Sequence, residues 1–433
     1  MEHFRQPLVG AAFFVPVYPL KKHRIIAFYP YFRCAQNLQP IMRKFTADYL
    51  YPVASAPIKN GVVITDDAGK ILAIEPRDSH DPASLAYHAG AIVPGFVNTH
   101  CHLELSHMKG RVDTGTGLLP FIHNVVSFRN FPMEEILDAI EKADQEMYEA
   151  GIVAVGDISN KIDTAAQKDK SRIRYYTFVE AFDFLSDDNA DRTFQQAETV
   201  LAGQSSAHGN RKSAVPHAPY SVSRKLFQRL NSANGPGDTI SIHNQETPHE
   251  DALFLSKTGG FIDFYKGFDI PLDGFIASGK TAIHYALENM DPHCRTLFVH
   301  NTLTGPKDIQ AAQGWSEHVY WATCPNANLY IENRMPFYQH FLENDARLTI
   351  GTDSLTSNWQ LSVLEEMKAI ARYQSYIPFE TLLRWATLNG AEALGFDQDL
   401  GSIEPGKTPG LNLLSSLGAD GKLSGETRVK RLV

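Results

Sequence analysis

The feature that most constrains this chain is a recurrence of eight apolar, strand-length runs separated by polar or helical text. They are Ile92–Val97, Ile152–Asp157, Arg174–Val179, Ala214–His217, Thr239–His243, Thr296–His300, Val319–Cys324 and Arg347–Gly351. Strands buried on both faces read as continuous Val/Ile-rich runs, and parallel neighbours need crossover helices between them. Met133–Ala150 and Leu361–Tyr373 carry the helical pattern such crossovers require. Eight units in about 300 residues predict an α/β chain whose centre is a (β/α)8 TIM barrel.

The two ends of the chain read differently. From Phe45 to about His88 there are short strand runs, Tyr49–Val53, Gly61–Thr65 and Ile71–Ile74, with an Asp66-Asp67-Ala68-Gly69 turn. The tail repeats this texture in the Gly401–Gly406 turn, Leu411–Leu414 and Thr427–Val433. Head and tail are therefore expected to pair as a small discontinuous β-sandwich, residues 42–91 and 397–433 flanking a barrel over 92–396. Residues 1–41 are crowded with aromatics, prolines and histidines and show neither period. They are expected to be a poorly ordered extension, with Met42 as the true start. The alternative is a native tail packed on the barrel or on a partner.

Charge and cysteine content narrow the classes of partner. Lysine plus arginine total 40 against 49 acids, a net charge of −9 with no basic stripe, which argues against nucleic acid. Cys34, Cys101, Cys294 and Cys324 lie far apart without a CxxC pair, so neither a zinc knuckle nor a disulfide framework is expected. The longest apolar run near the start, Val9–Leu20, is cut by Pro16 and Pro19 and falls short of the ~18 residues a membrane span needs. Lys21, Lys22, His23 and Arg24 stand where a signal-peptide cleavage site belongs. The expectation is a cytoplasmic protein with a small-molecule partner, no nucleic acid and no membrane, and with homo-oligomerisation left open.

In a barrel of this kind the site is built where strands end. Strand one ends in Asn98-Thr99-His100-Cys101-His102, strand four in His217, strand five in His243-Asn244-Gln245-Glu246, strand six in His300-Asn301 and strand eight in Thr352-Asp353-Ser354. His100 and His102, two apart on extended chain, point to one side and can approach one cation. An HxH pair alone occurs by chance, but His243 and Asp353 on other strand ends complete three nitrogens and a carboxylate. That set suits zinc with a position left for water. Glu246, three residues beyond His243, is placed to shuttle a proton, its plainer alternative being a helix-capping carboxylate. His300 fits a further metal contact, a donor to a developing oxyanion or a core histidine. His217 has no partner at metal spacing and reads as a substrate contact rather than a packing residue. It also stands where two-metal barrels place a bridging lysine, so one ion is expected.

Several ordered motifs carry a resemblance over about residues 45 to 415. They are Pro94-Gly95-Phe96-Val97-Asn98-Thr99-His100-Cys101-His102, His217-Ala218-Pro219-Tyr220-Ser221, His243 to Glu246, Cys324-Pro325-Asn326-Ala327-Asn328, Gly351-Thr352-Asp353-Ser354 and Gly401-Ser402-Ile403-Glu404-Pro405-Gly406-Lys407. The chain resembles the amidohydrolase superfamily, in the mononuclear branch of cytosine, adenosine and guanine deaminases and related chlorohydrolases. One departure is Pro409-Gly410-Leu411-Asn412, where the family usually reads Ala-Asp-Leu-Val. The stretch His102-Leu103-Glu104-Leu105-Ser106 also resembles the aminodeoxyfutalosine deaminases, over a short span.

The resemblance implies that His100, His102, His243 and Asp353 bind one zinc or iron ion. It gives Glu246 the protonation of a ring nitrogen, and His217 and His300 the holding of substrate or attacking water. The implied reaction is hydrolytic deamination of a purine-like heterocycle or its nucleoside, with Asp353 taking a proton from the water and His300 steadying the new oxygen. Hydrolysis of an amide or a chloride by the same water is the alternative within enzymes. A catalytically silent ligand-binding barrel is the alternative outside them.

Overall fold

The computed structural model describes residues 42–418 and 421–433. The expectations for residues 1–41, including the reading of Met42 as the start, fall on a segment outside the described residues.

Eight strands alternate with helices: β1 (Phe96–Cys101), β2 (Ile152–Ile158), β3 (Arg174–Ala181), β4 (Arg211–Pro216), β5 (Thr239–Asn244), β6 (Arg295–His300), β7 (Val319–Thr323) and β8 (Leu348–Ile350). They form two four-stranded parallel sheets in chain order, β1 to β4 and β5 to β8. Nearly every residue of these strands is buried, as strands covered on both faces must be. The sheets meet at both seams. The His243 N–H donates to the His217 carbonyl at 2.9 Å, and Thr352 and Asp353 N–H groups donate to the His100 carbonyl at 2.9 and 3.0 Å. Cys101 and Asp353 also form a parallel bridge.

Head and tail join in one seven-stranded mixed sheet. Its order is Arg428–Arg431, Leu411–Ser415, Ala86–Pro94, Arg43–Leu50, Gly61–Thr65 and Ile71–Pro76, with Ile58–Lys59 pairing on Arg43–Leu50. Phe45, Leu50, Val63, Ile92, Ile403 and Leu411 share its core. The strand expected at Tyr49–Val53 begins earlier, at Arg43, and ends at Leu50; beyond it Val53 takes a left-handed φ of 71°.

The run Ile92–Val97 is divided between the two structures. Residues through Pro94 pair antiparallel with Leu411–Leu414, whereas Phe96 starts β1 beside Ile152. Gly95 between them has no room for a side chain: a Cβ there would lie 2.2 Å from Val153 and 2.6 Å from the Pro409 carbonyl. The Gly95 N–H bonds the Pro409 carbonyl at 3.1 Å, which pins the crossing. A continuous apolar run hides this break because both halves are buried. No helix among the described residues is long and apolar enough to cross a membrane.

Candidate metal centre

Side-chain alternation along β1 and its extension puts His100 and His102 on one side, with buried Cys101 between them on the other. Their Nε2 atoms are 3.2 Å apart. Asp353 Oδ1 lies 3.5 Å from the first and 3.3 Å from the second. His243 at the end of β5 stands 4.9 Å, ring to ring, from His100 and 5.5 Å from His102. His300 at the end of β6 stacks on His243 at 5.5 Å. Donor atoms of His100, His102 and His243 converge within 4.8 Å of one another, as do those of His100, His300 and Asp353.

The backbone is bent to achieve this. Gln245, His300 and Asp353 all leave their strands with φ between 47° and 71°, a left-handed conformation that costs a non-glycine residue energy and persists where surrounding structure enforces it. Ser357 donates its hydroxyl to Asp353 Oδ2, leaving Oδ1 facing the imidazoles. Asn328 Oδ1 accepts from His300 Nδ1 at 2.8 Å, which leaves His300 Nε2 as a lone pair when the ring is neutral. The oxyanion-donor role expected of His300 therefore requires that Nε2 first receive a proton.

Burial sets most of the charge states. It pushes the imidazoles of His100, His102, His217 and His300 down to about 4, so these rings are neutral at physiological pH. Burial acts in the same sense on His243, but the Glu180 carboxylate, 3.1 Å from its Nδ1, overrides it and lifts the ring to about 10. Burial raises Glu246 to about 8, so this carboxyl carries a proton at neutral pH. Its Oε2 lies 3.4 Å from His300 Nε2, and its N–H donates to Glu250 Oε2 at 3.1 Å. Asp353, pulled up by burial but surrounded by imidazoles, is held well below the usual carboxylate range.

The donor set fits a divalent ion. Three imidazoles, which suit zinc and iron, are joined by a carboxylate oxygen that both ions also accept. The 3.2, 3.3 and 3.5 Å gaps are close to the edge of about 3.4 Å of a tetrahedron whose centre-to-vertex length is the ~2.0–2.1 Å of a zinc–nitrogen bond.

The seven residues singled out from sequence, His100, His102, His217, His243, Glu246, His300 and Asp353, lie in one place; all but His100 line a cavity of about 290 Å³. His217 bonds Ser221 Oγ through Nδ1 at 2.7 Å and sits 5.0 Å from the His243 ring. Sequence reasoning gave no individual role to Glu180, Glu104, Asn160 or Arg129, which also line the cavity. Glu180 could have been found by the strand-end rule, since it lies one residue past Val179, where the apolar run ends. The far wall is apolar, made by Leu118, Phe121, Ile122 and Val125 from the Leu118–Phe128 helix, Phe182 and Phe184 after β3, and Phe264 and Phe268.

The amidohydrolase family model matches residues 91–427. The chain belongs to the amidohydrolase family. Among curated proteins it is similar to the adenosine deaminase of Helicobacter pylori, at 25% identity over 333 residues, 76% of this chain and 79% of that protein. It is also similar to the aminodeoxyfutalosine deaminase of a Nitratiruptor species, at 28% identity over 350 residues, 77% of this chain and 80% of that one. The solved structure of H. pylori aminofutalosine deaminase with methylthio-coformycin superposes with a TM-score of 0.75 at 21% identity, covering 90% of this chain and all of that one. An adenosine deaminase from Xanthomonas campestris with bound zinc gives 0.69 at 23% identity, covering 88% and 86%. These likenesses place the two parallel sheets in the amidohydrolase fold.

Proposed function

We propose that this amidohydrolase is a metal-dependent aminohydrolase that replaces the exocyclic amine of a purine-like heterocycle or nucleoside with oxygen and releases ammonia. The carrying observation is the convergence of the His100, His102, His243 and Asp353 donors beside one cavity, with the buried Glu246 carboxyl 3.4 Å from His300 in the same wall. The reading is supported by the deaminases among the relatives. In it the two sheets close as one (β/α)8 barrel, and the single seven-stranded head-and-tail sheet, where sequence led to a β-sandwich, is its companion β domain, with the boundary drawn at Gly95.

His100, His102, His243 and Asp353 would hold one ion, zinc in the first place and iron in the second. Such an ion supplies Lewis acidity that makes water nucleophilic at neutral pH. Asp353, its Oδ2 fixed by Ser357, takes a proton from the attacking water. Glu246 passes its proton to the ring nitrogen beside the attacked carbon, so that negative charge does not build up there. The oxygen–carbon bond forms as the ring carbon–nitrogen double bond opens. The proton on Asp353 then leaves with the amine as ammonia, and the proton of the new hydroxyl restores Glu246. His300 contributes an Nε2 lone pair beside Glu246 that can hold a hydrogen of the water or take up Glu246's proton and become a donor. His217, anchored by Ser221, bounds the substrate space next to His243.

The test is ammonia release by zinc- or iron-loaded protein from a panel of aminated purines, pyrimidines, pterins and nucleosides. Turnover of an aminated purine or its nucleoside is expected. Chloride or amide hydrolysis without any ammonia release from the panel would overturn the reading.

A further inference from the structure

Glu180 closes β3 with its side chain only 3% exposed. Among the described residues no lysine or arginine forms an ion pair with it. Its contacts are His243 Nδ1, 3.1 Å from Oε1, and the Asn160 side-chain amide, which donates to Oε2 at 3.4 Å. A carboxylate removed from water must find compensating charge or strong donors nearby. Here the nearer donor is the back of an imidazole whose ring stands over His100 and His102, and a ring nitrogen of His217 lies within 4.8 Å.

His243 Nδ1 faces two acceptors, the His217 carbonyl oxygen at 2.9 Å and Glu180. The carbonyl is enough to hold hydrogen on Nδ1, so that Nε2 is the nitrogen that gives up its proton when an ion binds. A carbonyl brings no charge, however. The carboxylate polarises the ring through the same hydrogen and enriches Nε2 in electron density, as outer carboxylates do for metal-bound histidines. Neither Glu104 nor Glu246 can substitute. Glu104 is spent on the Asn160 and Lys161 N–H groups at 2.9 and 3.2 Å and on Arg129 at 3.6 Å, and Glu246 faces His300.

We propose that Glu180 is a positioning residue of the metal centre, which through its charge on His243 Nδ1 strengthens the hold of Nε2 on a divalent ion. This rests on the metal-centre reading given above.

The experiment strips the full-length protein of metal with a chelator and measures Zn²⁺ affinity by competition with a chromophoric chelator, alongside the visible spectrum of the Co²⁺-loaded protein. Glu180→Gln keeps the shape and a hydrogen-bond acceptor but loses the charge. Once corrected for the proton that the ion displaces from Nε2, Zn²⁺ binding is expected to weaken about 10- to 100-fold, the range typical of lost outer carboxylates, and the Co²⁺ bands to change. Affinity within about twofold of the unmodified protein would overturn the proposal. So would unchanged affinity together with a raised KM, which would make Glu180 a substrate contact. Glu180→Asp withdraws the charge by one methylene and is expected to fall between. If Glu180→Gln does not fold, full affinity in Glu180→Asp overturns the proposal instead. Failure of the unmodified protein to bind Zn²⁺ at all would refute the metal centre itself, a result distinct from loss in the variants alone.

Discussion

Lys168, in the Ala165–Lys170 helix, offers the sharpest test of how the first metal-strand is held. Its side chain and that of Asp157 at the end of β2 are both fully buried, and Nζ sits 2.6 Å from Asp157 Oδ2. Nζ also donates to Thr177 Oγ1 at 2.9 Å and Ser159 Oγ at 3.1 Å, so all three of its hydrogens are used. The other carboxylate oxygen, Asp157 Oδ1, accepts the Leu103 N–H at 2.8 Å, directly after His102. Replacing Lys168 by Met leaves a buried carboxylate whose partners are one N–H and the Ser159 hydroxyl. Removing one member of a buried pair typically costs about 3–5 kcal/mol, because the remaining charge is uncompensated. Asp157→Asn combined with Lys168→Met leaves no charge behind, and an amide oxygen can still accept from Leu103. The double variant is therefore expected to be more stable than Lys168→Met alone. Urea unfolding followed by fluorescence and by circular dichroism measures both, a stability being extracted only where the two transitions coincide. Lys168→Met within about 1 kcal/mol of the unmodified protein, or a double variant less stable than the single, would refute this reasoning.

Other expectations concern the reaction. Glu246→Gln is expected to keep its metal and lose about 10²- to 10⁴-fold in turnover, since glutamine cannot deliver a proton; near-normal ammonia release would remove Glu246 from the mechanism. His243→Ala is expected to lose metal and activity together, measured by elemental analysis and turnover on one preparation. Elemental analysis of the unmodified protein is expected to give one zinc or iron per chain, and two tightly held ions would contradict the ligand assignment. Among the described residues the cavity presents the ionised carboxylates of Glu180 and Asp353, with the buried carboxyls of Glu104 and Glu246 beside them, against one guanidinium, that of Arg129. Nucleosides are accordingly expected to be turned over at least about tenfold better than their 5′-monophosphates in kcat/KM, because like charges are costly in a water-poor pocket.

What the sequence made legible was whatever obeys a local rule. Buried parallel strands announce themselves as apolar runs, and their C-terminal ends are where polar side chains gather, so His100, His102, His217, His243, Glu246, His300 and Asp353 stand out in the order of residues alone. The break at Gly95 escaped because burial on either side of it looks alike in one dimension, although the strand before it pairs with Leu411–Leu414, more than three hundred residues away. The pairing of Lys168 with Asp157 escaped for a related reason. In the text Ala165-Ala166-Gln167-Lys168-Asp169-Lys170 reads as a solvated helix, and the ammonium is buried only because Thr177, Ser159 and Asp157 arrive from other elements to receive its hydrogens. Glu180 has the same character: one residue past an apolar run it looks like a strand's polar end, and it gains meaning only from the imidazole that β5 brings to within 3.1 Å. Residues proposed to touch the reacting atoms thus follow strand geometry and can be read in order. Residues that hold those first ones in place are defined by partners distant in sequence, and it is the fold that makes them visible.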